Sequence, residues 1–210
     1  MTREILIERI LRLIYNGQPS DDSTITYGLI NEYLNDAIAV AAKRNYTESV
    51  QLDGISYVNN AFYSTFSDIA ITKEDNSVDI YKLSLPQVPV SLGKNEGIAT
   101  VQFVDNASKR TSITAIPLSM NQVGYIDSMR PIQNKTLFWN EGKSIFVKSG
   151  VLLTKYKAKV KMVSGGNSSD LSSVINVPDD YMPVIIEYIK SQLAFEKSRP
   201  IDNSNDGVDA

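Results

Sequence analysis

Residues 178–200, PDDYMPVIIEYIKSQLAFEKSRP, carry the pattern on which the fold turns. Asp179 and Asp180 offer side-chain oxygens to the unpaired N–H groups of a starting helix, and their charge suits its positive end. Pro183 falls in the first turn, where its missing donor has no partner to lose. Met182, Ile185, Ile186, Ile189 and Leu193 then recur at helical spacing and make one apolar stripe. Glu187, Lys190, Glu196 and Lys197 take the wetter positions. Lys197 and Arg199 suit the C-terminal end, and Pro200 stops the helix. A helix of this kind needs a body to close against, and the rest of the chain has to supply it.

Upstream of it, the Ser/Gly-rich stretch SGGNSSD opens a flexible linker over 164–177. Before the linker, residues 151–163 read as a strand. Lys155, Lys157, Lys159 and Lys161 alternate strictly with Tyr156, Ala158, Val160 and Met162, which puts the ammonium groups on one face and the apolar side chains on the other. Such a face is either plain solvated surface, a set of lysines that discourages edge-to-edge pairing, or a cationic stripe turned toward an acidic neighbour or a DNA backbone.

The same period of two runs through the middle of the chain. Ile69 and Ile71, then Val78, Ile80 and Lys82 across the turn EDNS, predict a hairpin. Leu85-Pro86 with Pro89 breaks the ladder. Residues 97–104 form the next strand, with DNASKR as its turn and 111–116 returning beside it. Residues 120–131 read as a loop or short helix. Residues 136–139 and 144–147 flank Asn140-Glu141-Gly142, another turn signature.

At the N-terminal end the period is helical. Thr2 caps a first helix whose apolar face is Ile5, Leu6, Ile10, Leu13 and Ile14, with Arg3, Glu8, Arg9 and Arg12 on the wet side. A second helix runs from about Thr26 to Asn45 on Ile30, Tyr33, Leu34, Ala37, Ile38 and Ala41, with Lys43 and Arg44 at its C-terminal end, and pairs with the first as a hairpin. Residues 50–66 fit a helix by spacing, but Gly54 and the β-branched and aromatic content weaken that assignment. The expected fold is therefore α+β. Its parts are an N-terminal helical part (1–66), a central antiparallel β-rich unit (67–163, sandwich or small barrel), the linker (164–177), a C-terminal helix packing on the N-terminal helices (178–200) and an acidic tail (201–210).

Composition narrows the chemistry. The 210 residues contain no cysteine and no histidine, which excludes disulfides, thiolate nucleophiles, His-based triads and most zinc sites. A net charge of -3 is too mild to imply a nucleic-acid binder by itself. No apolar run approaches the ~20 residues of a membrane span. The opening MTREILIERI has charges where a secretory signal would be apolar, so the expected place of synthesis is a cytoplasm.

Gly142-Lys143-Ser144 resembles the end of a phosphate loop, but Leu137 stands where the first glycine should be, and a strand follows where a helix is needed. Asp202-Asn203-Ser204-Asn205-Asp206-Gly207 resembles the start of a calcium loop without the bidentate glutamate. No carboxylate pair stands out as an acid–base couple. The expectation is no catalytic residue, no cofactor and no metal. Trp139, beside Phe138, reads as an anchor in the β core or at an interface.

The two ends of the chain resemble a known family. Val177-Pro178-Asp179-Asp180-Tyr181 running into an amphipathic helix, and Arg199-Pro200 followed by Asp202, Asn205, Asp206 and Asp209, are similar to the C-terminal ends of neck proteins of tailed bacteriophages. The closest likeness is to ring or adaptor proteins of crAss-like and related short-tailed phages. The helical start with Leu29-Ile30-Asn31-Glu32-Tyr33-Leu34-Asn35-Asp36-Ala37, and the Leu85-Pro86 break before Gly97-Ile98-Ala99-Thr100-Val101, add to it.

The resemblance implies a structural virion protein that forms a ring, commonly of twelve copies, beneath the portal. Such a ring joins head to tail and encloses the channel through which the genome passes. Its implied partners are its own copies, the portal and other neck or tail proteins, with DNA only as passing cargo and no membrane. Asp202, Asn205, Asp206, Asp209 and Trp139 are the candidate subunit contacts. The rival expectation is a carbohydrate- or host-surface-binding β module, which an open groove of aromatics around Trp139 would favour.

Overall fold

Where the period changes from 3.6 to 2, the chain leaves a helical layer and enters a barrel. The computed structural model describes residues 1–15, 17, 25–55, 57–74, 79–92, 97–107, 111–125, 135–165 and 169–198. Helices α1 (Arg3–Ile14) and α2 (Tyr27–Asp53) come first. Strands β1 (Tyr63–Ile69), β2 (Ile71–Lys73), β3 (Ile80–Ser84), β4 (Ile98–Asp105) and β5 (Thr111–Pro117) follow. Then come a short helix α3 (Met120–Val123), β6 (Leu137–Glu141), β7 (Ser144–Lys148), β8 (Tyr156–Val163) and helix α4 (Met182–Ser198). The architecture is α+β, as the change of period predicts.

The eight strands make one sheet in the order β1-β8-β4-β5-β6-β7-β3-β2. Its two outermost strands are neighbours in sequence, separated only by Ala70. At that point the register with β8 shifts between Phe66 and Ile69, and Asp68 takes a left-handed φ of 59°. A bulge of this kind bends the strand so that β1 serves β8 while β2 serves β3. The sheet is thereby a nearly closed barrel, the second of the two forms expected. One pair departs from the antiparallel expectation: β5 and β6 run parallel, Ile116 opposite Leu137. The long connection through 118–136 returns the chain to the same end of the sheet, which a tight turn cannot do. Inward-facing Phe103, Phe138, Leu83, Val147, Ala158 and Val160 fill the barrel.

Strands β2 to β8 overlap the expected segments, including the hairpins β2–β3 and β6–β7, the latter turning at Gly142 with φ 60°. β1 is a correction: spacing puts residues 63–66 at the end of a helix-like stretch, whereas Tyr63–Ile69 is one strand held by its pairing with β8. The helices needed three corrections. α1 is turned from the expected face: Leu6, Ile7, Ile10 and Leu11 are buried, while Ile5 and Leu13 are exposed and Arg3 is buried. α2 continues past Asn45 to Asp53, where Gly54 caps it in the left-handed conformation. Lys43 and Arg44 therefore lie inside the helix, and Arg44 pairs with Glu48 one turn on at 2.9 Å. The extension is hidden in the sequence because its buried positions are polar, Asn45 and Ser49. Finally, Pro178 is the N-cap of a 3₁₀ turn, Asp179–Tyr181, ahead of α4, and no side chain caps it by a hydrogen bond. The two aspartates sit in that first turn, where only their charge favours the helix.

α2 and α4 pack along each other, and Leu34, Ile38, Ile185, Ile189 and Leu193 share a core with the buried face of α1. Val58, Phe62, Val90 and Val163 join this cluster from the barrel side, so the helices close one end of the barrel. Residues 164–177, expected as a linker, are docked where they are described. Thr2 bridges Val174, the Arg3 and Glu4 amides donate to Ser173 and Leu171 at 3.0 Å, and the Ile175 amide donates to Met1 at 2.9 Å.

Candidate functional site

Strand β8 is held on both sides. It pairs with β1 through Thr65↔Lys161 and with β4 through Lys161↔Thr100, Lys159↔Gln102 and Lys157↔Val104. Ala158, Val160 and Met162 are fully buried in the barrel, so strand alternation sends Lys157, Lys159 and Lys161 outward. Lys155 precedes the strand in the 3₁₀ turn Leu153–Lys155 and is exposed. A strand inside the sheet presents no free edge, which corrects the reading of these lysines as edge guards.

Lys161 donates to Asn60 Oδ1 at 3.2 Å, with its ammonium 5.2 Å from the centre of the Tyr63 ring. Among the described residues none of the four lysines is in an ion pair; the three ion pairs are Arg12–Glu8, Arg44–Glu48 and Lys148–Asp79. The cross-strand partners Thr65, Thr100, Gln102 and Val104 carry no charge.

Trp139 lies on the outer side of β6 and is 4% exposed, covered with Leu118, Leu137 and Val123. Its indole stacks on Phe146 with ring centres 5.8 Å apart and donates to Glu141 Oε1 at 2.9 Å. It is neither a contact surface for a partner nor the floor of an aromatic groove. Asp202, Asn205, Asp206 and Asp209 lie outside the described residues.

Two hollows flank the segment around Pro89. One, about 310 Å³, is lined by Val90, Gly97 and Asn140; the other, about 590 Å³, by Asn35, Asp36, Gln87 and Lys143. Among the described lining residues the second holds one carboxylate and the first none. No group of three His, Cys, Asp or Glu residues with metal-binding geometry occurs among the described residues, and no described helix is long and apolar enough to cross a membrane.

Sequence reasoning missed a polar node. Arg3, 0% exposed, donates from Nε to Asn31 Oδ1, from one terminal nitrogen to Asn35 Oδ1 and Gly165 O at 2.9 Å, and from the other to Asn31 O at 2.7 Å. Burial pushes its pKa down, yet a guanidinium stays protonated. Asn31 and Asn35, four apart on one face of α2, were the available signal. The node joins three segments and points no free group outward, so it is structural.

No known protein-family model matches the chain, and no curated protein is significantly similar to it.

Proposed function

We propose that the chain is a structural subunit of the neck of a tailed bacteriophage. Copies of it, twelve by the resemblance, close into a ring that joins the portal to the tail and encloses the DNA channel. In this reading the chain is made in the host cytoplasm, resides in the virion, has no enzymatic role and needs no cofactor.

One observation carries the proposal beyond resemblance. A closed ring of identical subunits is built from heterologous contacts, which require two different complementary patches on each copy. The helical layer exposes apolar side chains at more than one place, Phe195 of α4 among them. Val50, Leu52 and Ile55 protrude at the C-terminal end of α2, Leu52 and Ile55 being 84% and 68% exposed. Ile5 and Leu13 stand on the outer face of α1, which runs along the first half of α2, and line a hollow of about 260 Å³ with Arg9 and Arg12. The 27 residues of α2 span about 40 Å, so the two patches are distant enough to serve different neighbours. The carbohydrate-binding reading lacks such support, because Trp139 is covered.

Sedimentation of the purified chain over a range of concentrations tests this, alone and mixed with a portal protein. The expected result is a single closed oligomer. The double variant Leu52→Ser/Ile55→Ser should stay folded, since both side chains are in solvent, and should remain monomeric. A chain that is monomeric at every concentration and ignores the portal removes the reading.

A further inference from the structure

We infer that the outer face of β8 and β4 is a sequence-independent binding surface for the phosphate backbone of nucleic acid. Strand geometry places Lys157, Lys159 and Lys161 about 6.7 Å apart in a straight row, extended at one end by Lys155. Beside the row stand groups that donate to phosphate oxygens without reading bases: the hydroxyls of Thr65 and Thr100 and the amide of Gln102, with Thr114 of β5 opposite Gln102. Two carboxylates lie in the flanking strands, and neither is in an ion pair with the row. Asp105 closes β4 and accepts a hydrogen bond from the Ala107 amide at 2.8 Å, and Asp68, at the barrel corner, forms no ion pair with the row.

An acidic protein is the other polyanion that could cover such a face, and the composition disfavours it. Protein interfaces concentrate aromatic side chains and methionine at their centre and are poor in lysine. Here the described face is lysine, threonine and glutamine with Val104, and the Tyr63 ring beside it is already engaged by Lys161. The inference does not depend on the ring: a single subunit carries the whole face.

Fluorescence anisotropy of the full chain with duplexes of two unrelated sequences, titrated from about 20 to 200 mM salt, reads it directly. Three or four neutralised phosphates give a slope of log K against log salt near -2.7 to -3.6. Both duplexes should bind equally. The variant K155Q/K157Q/K159Q should bind at least about tenfold more weakly at low salt, with the slope reduced toward about -1 and an unchanged thermal melt. The corresponding Lys→Arg variant should retain binding. Absence of binding at the lowest salt overturns the inference, as does an unaffected glutamine variant. Tighter binding of polyglutamate than of DNA overturns it in favour of an acidic protein. Since the measurement needs only the isolated subunit, its failure leaves the ring proposal standing, and a failure to form rings leaves this one standing.

Discussion

Arg3 is a full positive charge out of water whose described partners are all neutral carbonyl oxygens. Burying an ion is tolerable only when its donors are met, and four hydrogen bonds to Asn31, Asn35 and Gly165 meet most of them. Gly165 belongs to the same arrangement, because a Cβ there would lie 2.8 Å from Asn35 Oδ1. Arg3→Ala should therefore lower stability by roughly 3 kcal/mol, chiefly by stranding these acceptors. Arg3→Lys should recover part of that, since an ammonium reaches fewer of them. Equilibrium urea unfolding of both variants provides the check, and an Arg3→Ala variant as stable as the parent would contradict the role given to the node.

At the scale of elements, the pairing of α2 with α4 is keyed by polar groups as much as by apolar ones. The Asn45 amide donates to the Tyr181 hydroxyl at 2.9 Å and its oxygen accepts from the Asn59 amide at 2.8 Å, while the Tyr181 hydroxyl donates to Glu48. The Tyr181 hydroxyl, followed by Arg44, holds the Glu48 carboxyl below its usual value of 4.5. A carboxylate with a depressed folded-state pKa contributes stability above its unfolded pKa and loses it as pH falls through the folded one. Burial, then the bond to Glu48, raises the pKa of Tyr181 above its usual 10.0, so its contribution is present below that pH and is lost above it. Tyr181→Phe should cost about 1–2 kcal/mol at neutral pH, because it leaves the buried Asn45 short of an acceptor. It should also flatten the loss of stability below about pH 4.5. Thermal melts at pH 3.5, 7 and above 10 decide the matter; an acid limb of unchanged slope would show that Glu48 is not coupled to Tyr181.

For the molecule as a whole, the proposed ring sets a test for the end of the chain. If residues 201–210 grip a neighbouring copy, removing them should leave the melt of the isolated subunit unchanged while weakening ring assembly by at least about tenfold, roughly 1.4 kcal/mol per contact. Sedimentation of the truncated chain measures this. Assembly indistinguishable from that of the full chain would free the acidic residues Asp202, Asp206 and Asp209 from any part in the contact.

What the sequence by itself determined was local: most of the stretches that alternate with period two or with 3.6, and that Lys157, Lys159 and Lys161 share a side opposite Ala158, Val160 and Met162. These follow from backbone geometry and need no partner. Tertiary structure alone decided whatever depends on two distant segments meeting. The phase of α1 could not be read, because Arg3 looks like a solvent residue until Asn31, Asn35 and Gly165 surround it. The last turns of α2 were illegible because their buried face is polar and gains its meaning from Tyr181. Barrel closure and the parallel β5–β6 pair were out of reach for the same reason: a strand's sequence records which of its faces is buried, and not which strand lies beside it.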